Sequence, residues 1–227
     1  MLDGSGVIYG TTWLGGYGPR DGFCPFNGCG TVFQLAPPAE SGGVWQEKIL
    51  HRFGGNDGAY PLSGLTFDAA GLLYGTTAYG GSGQEPGVAF RLSPGKSGRW
   101  VETVRYSFQT AADGAYPAAR PIFDSIGNLY GTTEGDGGIS SWGTVFKLTP
   151  PIAGSASWRF TVLHSFAGPP DGDTPDSPLT LWNGALFSTT PYGGNVCRAC
   201  GTVFEVWPLQ DDGTNSSFSQ SPVKETR

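Results

Sequence analysis

Apolar and aromatic residues gather in short runs along this chain, and Gly, Pro and Asp sit between them. In one stretch the runs span 62–68, 72–77, 88–92 and 100–108. Each is rich in β-branched and aromatic residues, the composition of strands. No window carries a sustained helical period. Asp68-Ala-Ala-Gly71, and Asp124-Ser-Ile-Gly127 at the matching later place, are tight-turn signals. The pattern predicts four short antiparallel strands, a to d.

The same pattern is written four times. Tyr9-Gly-Thr-Thr12, Tyr74-Gly-Thr-Thr77, Tyr130-Gly-Thr-Thr133 and Phe187-Ser-Thr-Thr190 are each followed by a second landmark. That landmark is Gly30-Thr-Val-Phe33, Gly87-Val-Ala-Phe90, Gly143-Thr-Val-Phe146 and Gly201-Thr-Val-Phe204. The steps from Gly30 to Gly87 to Gly143 to Gly201 are 57, 56 and 58 residues. A fixed period of this size means one supersecondary unit copied in tandem. Four strands per unit predict an all-β chain, a β-propeller of about four four-stranded antiparallel blades. A β-solenoid is the rival, although its repeats usually run to about twenty to thirty residues. Val, Leu and Phe of strands b and c are expected between blades. Trp45, Trp100 and Trp158 open strand d at equivalent positions and are read as inter-blade packing.

The repeat domain is placed at 1–208, with copies near 3–57, 58–113, 114–171 and 172–208. Asp3, Gly6 and Tyr9 match Asp68, Gly71 and Tyr74, so strand a of the first copy is nearly missing and the propeller is incomplete at its ends. After Trp207-Pro208 only 217–224 offers a weak strand d, and 209–227 is polar and expected to be flexible. Exposed sheet edges must be hidden. A closed four-bladed ring, a homo-oligomeric ring and a piece of a longer array are therefore all open, the last favoured.

Composition narrows the partners. Gly 38 and Pro 18 make 56 of 227 residues, a content that can signal disorder, but they fall between runs that recur in register. The net charge is −6 and no basic stripe exists, which argues against nucleic acid. No run of about eighteen apolar residues exists to span a membrane. The start, MLDGSGVIYG, lacks the charged and apolar regions of a signal peptide.

Leu-Tyr-Gly-Thr-Thr, a Gly-rich loop and Gly-Thr-Val-Phe-Lys-Leu in 129–148, with Leu163-His-Ser-Phe166 and Asp171-Gly172, resemble the GloVer tandem repeat over about residues 3–207. That is a repeat of exported bacterial proteins with varied anchoring signals. The resemblance implies a secreted or cell-surface, propeller-like array. It transfers no catalytic residues.

An antiparallel meander puts the b–c and d–a loops on one side of the disc. The d–a loops carry Asp57, Asp113, Asp171 and Asp173, and the b–c loops carry Trp13, Tyr17, Tyr79, Trp142 and Tyr192 among glycines. An aromatic, anionic face suits sugar rings, which stack on aromatic faces and donate hydrogen bonds to carboxylates. The candidate ligand-binding residues are thus Trp13, Tyr79, Trp142, Tyr192, Asp57, Asp113, Asp171 and Asp173, and the expected partner is a glycan or a protein. Each Asp-Gly is also a turn signal whose carboxylate bonds the local backbone. Repeated carboxylates could hold calcium, though no loop has the regular D-x-D-x-D spacing. Paired-carboxylate catalysis needs two acids about 5 to 10 Å apart; Glu134, Asp136, Asp171, Asp173 and Asp176 could supply them. His51 and His164 share one place in strand d, where the second copy has Arg105-Tyr-Ser-Phe108. A place that tolerates Arg is read as a half-exposed strand position. No Ser lies in an elbow motif, and the Gly-rich loops lead into strands rather than phosphate-binding helices.

The cysteines fall in two equivalent loops, Cys24 and Cys29 before Gly30, and Cys197 and Cys200 before Gly201. Two local disulfides are the plain reading for an exported protein. A zinc site holding all four is the alternative, and redox chemistry at Cys197-x-x-Cys200 lacks its helical context. Otherwise no cofactor is expected. The function read here is a non-catalytic binding or scaffold module. The alternatives are a polysaccharide hydrolase or lyase using non-repeated acids with Tyr192 or Arg198, and an adhesive spacer.

Overall fold

The computed structural model describes every residue except 17–23, 25–26, 83–85, 110–112, 136–141, 153–156, 195–199, 209–217 and 222–227. Among the described residues the chain is all-β, with four antiparallel sheets in chain order and no α-helix. The first sheet holds β1 (Ile8–Thr12), β2 (Thr31–Ala36) and β3 (Gln46–Arg52). The second holds β4 (Thr66–Phe67), β5 (Leu73–Thr77), β6 (Val88–Pro94) and β7 (Trp100–Ser107). The third holds β8 (Ile122–Phe123), β9 (Leu129–Thr133), β10 (Thr144–Thr149) and β11 (Arg159–Ser165). The fourth holds β12 (Thr180–Trp182), β13 (Ala185–Thr190), β14 (Thr202–Val206) and β15 (Phe218–Ser221).

Strands b, c and d form close to where the residue pattern places them. Strand a is shorter. Instead of 62–68, only Thr66–Phe67 pairs with β5. The preceding stretch is taken by a loop in which Tyr60 has φ 56°, and Pro61 offers no N–H to a ladder. At the chain ends, Leu2 bridges Ile8 and the Tyr9 N–H donates to the Met1 carbonyl at 2.7 Å, a rudiment of strand a. β15 pairs with β14 inside the stretch read as a flexible tail. The tail thus supplies the fourth sheet with its strand d.

The two landmarks of the repeat meet across the b–c ladder. Gly10, Gly75 and Gly131 pair with Phe33, Phe90 and Phe146, whose rings lie over them. A Cβ on Gly131 would come 2.5 Å from the Phe146 ring. The ring needs the bare backbone, which is why Gly occupies a strand interior it would otherwise weaken. A bulge interrupts the c–d ladders of the first three sheets, between Val32/Phe33, Ala89/Phe90 and Val145/Phe146, and the short β14–β15 ladder runs without one.

Consecutive sheets bury three equivalent cores. Phe53 meets Phe90, Phe108 meets Phe146 and Phe166 meets Phe204, each at 5.1 Å and edge to face. Leu50 and Phe53 pack with Leu73 and Leu92; Tyr74 and Ala89 with Leu129 and Leu148; Val145 and Phe166 with Leu186 and Val206. Trp100 packs in the first core and Trp158 stands on Tyr74 at 6.0 Å. Trp45 does not follow them: it is exposed, and among the described residues no buried cluster takes it in.

Candidate functional site

The d–a and b–c loops do share a side. Ala59 bridges Tyr79, Ala115 bridges Gly135 and Asp173 bridges Tyr192, each d–a loop joining the b–c loop of the next sheet. The d–a loop is also tied to the sheet before it. The N–H groups of Tyr60, Tyr116 and Thr174 donate to the carbonyls of Cys29, Pro86 and Trp142 at 2.8, 3.0 and 2.9 Å. These three donors are the non-Gly residues at φ 56°, 61° and 58°. Bulky residues hold such a conformation only where the surroundings over-determine it, and here two sheets do so.

The consequence is a connected run of rings. Trp13 lies 5.9 Å from Tyr60, Tyr60 5.6 Å from Tyr79, and Tyr79 4.9 Å from Tyr116. Trp13 and Tyr79 are exposed and Tyr60 and Tyr116 half-buried. The run crosses from the first repeat into the third. At its far end the Glu134 N–H donates to the Tyr116 carbonyl at 3.2 Å. Burial, followed by the charge of Asp176, raises the Glu134 carboxyl above its usual range. Tyr60 and Tyr116 are absent from the residues singled out by sequence. Tyr-Pro in the d–a motif is their only signal, because a left-handed tyrosine is decided by contacts from two sheets.

The other expected residues distribute differently. Tyr192 is exposed and carries an anchored backbone, accepting from the Thr190 hydroxyl at 2.8 Å and the Asp173 N–H at 2.9 Å. Asp173 accepts from the Thr174 hydroxyl at 2.6 Å. Trp142 is half-buried over Gly168, where a Cβ would meet its ring at 2.7 Å. It packs against the third core rather than joining the run of rings. Tyr17, Asp136, Cys197 and Arg198 lie outside the described residues.

Asp57, Asp113 and Asp171 make one repeated clamp. Asp57 is bonded to His51 Nε2 at 2.9 Å and accepts from the Gly54 N–H at 2.8 Å. Asp171 is bonded to His164 Nε2 at 3.0 Å and accepts from the Ala167 N–H at 2.8 Å. In the middle copy the Tyr106 hydroxyl donates to Asp113, which also accepts from the Gln109 N–H at 3.1 Å. Val32 pairs with His51, Ala89 with Tyr106 and Val145 with His164. The histidines therefore correspond to Tyr106, and the comparison with Arg105 is corrected: Arg105 sits one residue earlier, in the bulge. A position filled equally by His and Tyr needs a ring with a hydrogen-bonding tip, not a base. Burial would raise Asp57, but the His51 bond and the Gly54 N–H outweigh it and hold the carboxyl below its usual range. Burial pushes His164 below its usual value against the pull of Asp171.

Glu102 breaks this regularity. It comes from the second sheet and brings a carboxylate oxygen within 4.8 Å of the ligand atoms of His51 and Asp57. The next interface has Phe160 stacked on Tyr106, centroids 4.4 Å apart and 8° from parallel. Glu102 Oε1 is buried without a hydrogen-bond partner. Burial, then the charge of Asp57, pushes its pKa up to about 8 against the pull of Arg105. Beside this group a cleft of about 360 Å³ is lined by Lys48, His51, Arg52, Arg99 and Trp100, the Lys48 ammonium donating to the Gly98 carbonyl at 2.9 Å.

Cys24 and Cys29 form a disulfide, and Cys200 is likewise disulfide-bonded.

The family model for the Gloeobacter/Verrucomicrobia repeat matches residues 87–222, more than half of the chain. The chain belongs to the Gloeobacter/Verrucomicrobia repeat family. The match opens on Gly87 of the second landmark and runs past β15, so this strand falls inside the family's repeat. The first 86 residues lie outside the match and carry the same two landmarks. No curated protein matches the sequence. Among the described residues no helix is long and apolar enough to cross a membrane.

Proposed function

We propose that this Gloeobacter/Verrucomicrobia repeat is a propeller-type, non-catalytic binding and scaffold module acting outside the cell, and that it holds an extended glycan along its b–c and d–a loop face. The observation that carries the reading is the ring run Trp13, Tyr60, Tyr79 and Tyr116, with neighbouring centroids 4.9 to 5.9 Å apart. Aromatic faces offer large contact area with little rotamer entropy to lose, and their polar tips stay wet. Backbone bonds from two sheets set the run before any ligand arrives, which lowers the cost of binding. Glu134 and Asp173, at or beyond one end, offer acceptors for sugar hydroxyls. The propeller part rests on four consecutive antiparallel sheets packed through the same Phe pair. The extracellular part rests on the Cys24–Cys29 disulfide, since such bonds persist in oxidising compartments.

A glycan array followed by titration calorimetry tests the binding. Tyr79→Ala is expected to weaken the best ligand about tenfold, the equivalent of about 1.4 kcal/mol, with the fold unchanged by circular dichroism. An array without a hit, or a ligand indifferent to Tyr79→Ala, overturns the glycan reading.

A further inference from the structure

Each inner sheet of this chain is sealed on both faces, and each outer sheet on one. Along strand c, Val145 and Lys147 of the third sheet face the fourth, while Phe146 and Leu148 face the second. The fourth sheet keeps the backward half of this rule, with Phe204 and Val206 buried in the third core. Its forward half is open. Val203, the equivalent of the fully buried Val145, is 38% exposed. Phe187, the equivalent of Tyr130, is half-buried, and beside it on this face Trp182 is 65% and Trp207 41% exposed.

The first sheet is the mirror case. Its forward face is sealed, with Val32 and Leu50 in the first core. Its backward face is open. Ile8 is 36% exposed where its equivalents Leu73, Leu129 and Leu186 are fully buried. Phe33 and Leu35 are half-buried where Phe90, Phe146, Leu92 and Leu148 are sealed. Leu2 is 65% and Trp45 46% exposed on the same side.

We propose that these two faces are the halves of one interface, and that the fourth sheet of one copy of this chain seats on the first sheet of a second copy. The three internal interfaces state what each face receives. Tyr9 of the first sheet packs on Phe67 of the next at 5.3 Å, and Tyr74 on Phe123 at 4.9 Å. Phe187 holds the corresponding place on the open forward face, and Leu2, at the position of Phe67 and Phe123, is its counterpart on the open backward face. Trp45 holds the place from which Trp158 reaches Tyr74. Contiguous exposed apolar patches mark interaction surfaces. The contact is heterologous, so it either closes a ring or propagates. Two copies joined at both ends would carry twice the four sheets of one chain, inside the range of about four to eight blades that propellers use.

Sedimentation of the full chain across a concentration series tests this, with Val203→Glu and Ile8→Glu as variants at already exposed sites. A dimer or larger assembly of the wild type is expected, with each variant alone losing the ring or the polymer. An equimolar mixture of the two variants retains one unmodified face of each kind and is expected to form a one-to-one complex. A monomeric wild type well above micromolar concentration overturns the proposal. So does association that survives both substitutions, or variants that each fail alone and never complement. The glycan reading does not depend on the outcome, because Trp13, Tyr60, Tyr79 and Tyr116 lie on the loop side.

Discussion

At the scale of the residue, the repeat separates side chains that serve the fold from those that serve one place only. Gly131 and Phe146, Thr133 and Thr144, and Asp171 with His164 recur because each pair solves a local packing or hydrogen-bonding problem. Their partners were hidden in the sequence, where Asp171-Gly172 reads as a turn signal and His164 as a half-exposed strand position. Glu102 has no such excuse. Its pKa of about 8, against 4.5 for the ordinary group, means that the folded chain holds a proton the unfolded chain releases. The native state therefore binds more protons across that window, and stability falls as pH rises through it. Thermal denaturation from pH 5 to pH 9 should show the melting temperature declining. Glu102→Gln, which keeps the shape and removes the titration, should flatten the decline and leave the acid end nearly unchanged. An equal slope in both proteins would refute the assignment.

At the scale of the element, the d–a loop is the inventive part of the repeat. It spans two sheets, ends strand d with an Asp clamp and starts strand a late. The residue pattern showed the turn but not the clamp's partner, because the c–d bulge shifts which strand residue faces the loop. Reading along the strand, His51 seemed to stand against Arg105. Across the ladder it stands against Tyr106. In Tyr106 burial, then the bond to Asp113, raises the phenol far above its usual value, so it remains a donor at every relevant pH. Tyr106→Phe keeps the stack on Phe160 and removes only the hydroxyl, leaving a half-buried carboxylate one donor short. Chemical denaturation should show a loss of about 1–3 kcal/mol. A loss near zero would mean that the Gln109 N–H suffices.

At the scale of the molecule, stability should follow position in the array. A chain of sheets that contact only their neighbours behaves as a sum of units and interfaces. Phe146 is fully buried between two sheets and Phe33 is half-buried on an open face. Phe146→Ala should cost about 3–5 kcal/mol. Phe33→Ala should cost clearly less when copies are kept apart by dilution, as urea titrations of the two variants would measure. Equal losses would contradict an open first sheet. The same contrast leaves a scaffold of four sheets with an exposed apolar face at each end.

The sequence by itself determined the strands b, c and d, the four copies, the shared side of the loops and the family, because these depend on local residue type and on a period that repetition makes visible. It placed Trp13 and Tyr79 on the loop side for the same reason. Only the tertiary structure decided that Trp142 is half-buried over Gly168, that Tyr60 and Tyr116 join Trp13 and Tyr79 in one run of rings, and that Glu102 meets His51 and Asp57. Each of these depends on a neighbour from a distant stretch of the chain or on a left-handed backbone, and neither is written in any single stretch of the chain. The exposed faces at the two ends belong to the same class: Val145 and Val203 are the same residue in the same motif, and only the packing of the fourth sheet on Val145, which Val203 does not receive among the described residues, makes one core and the other surface.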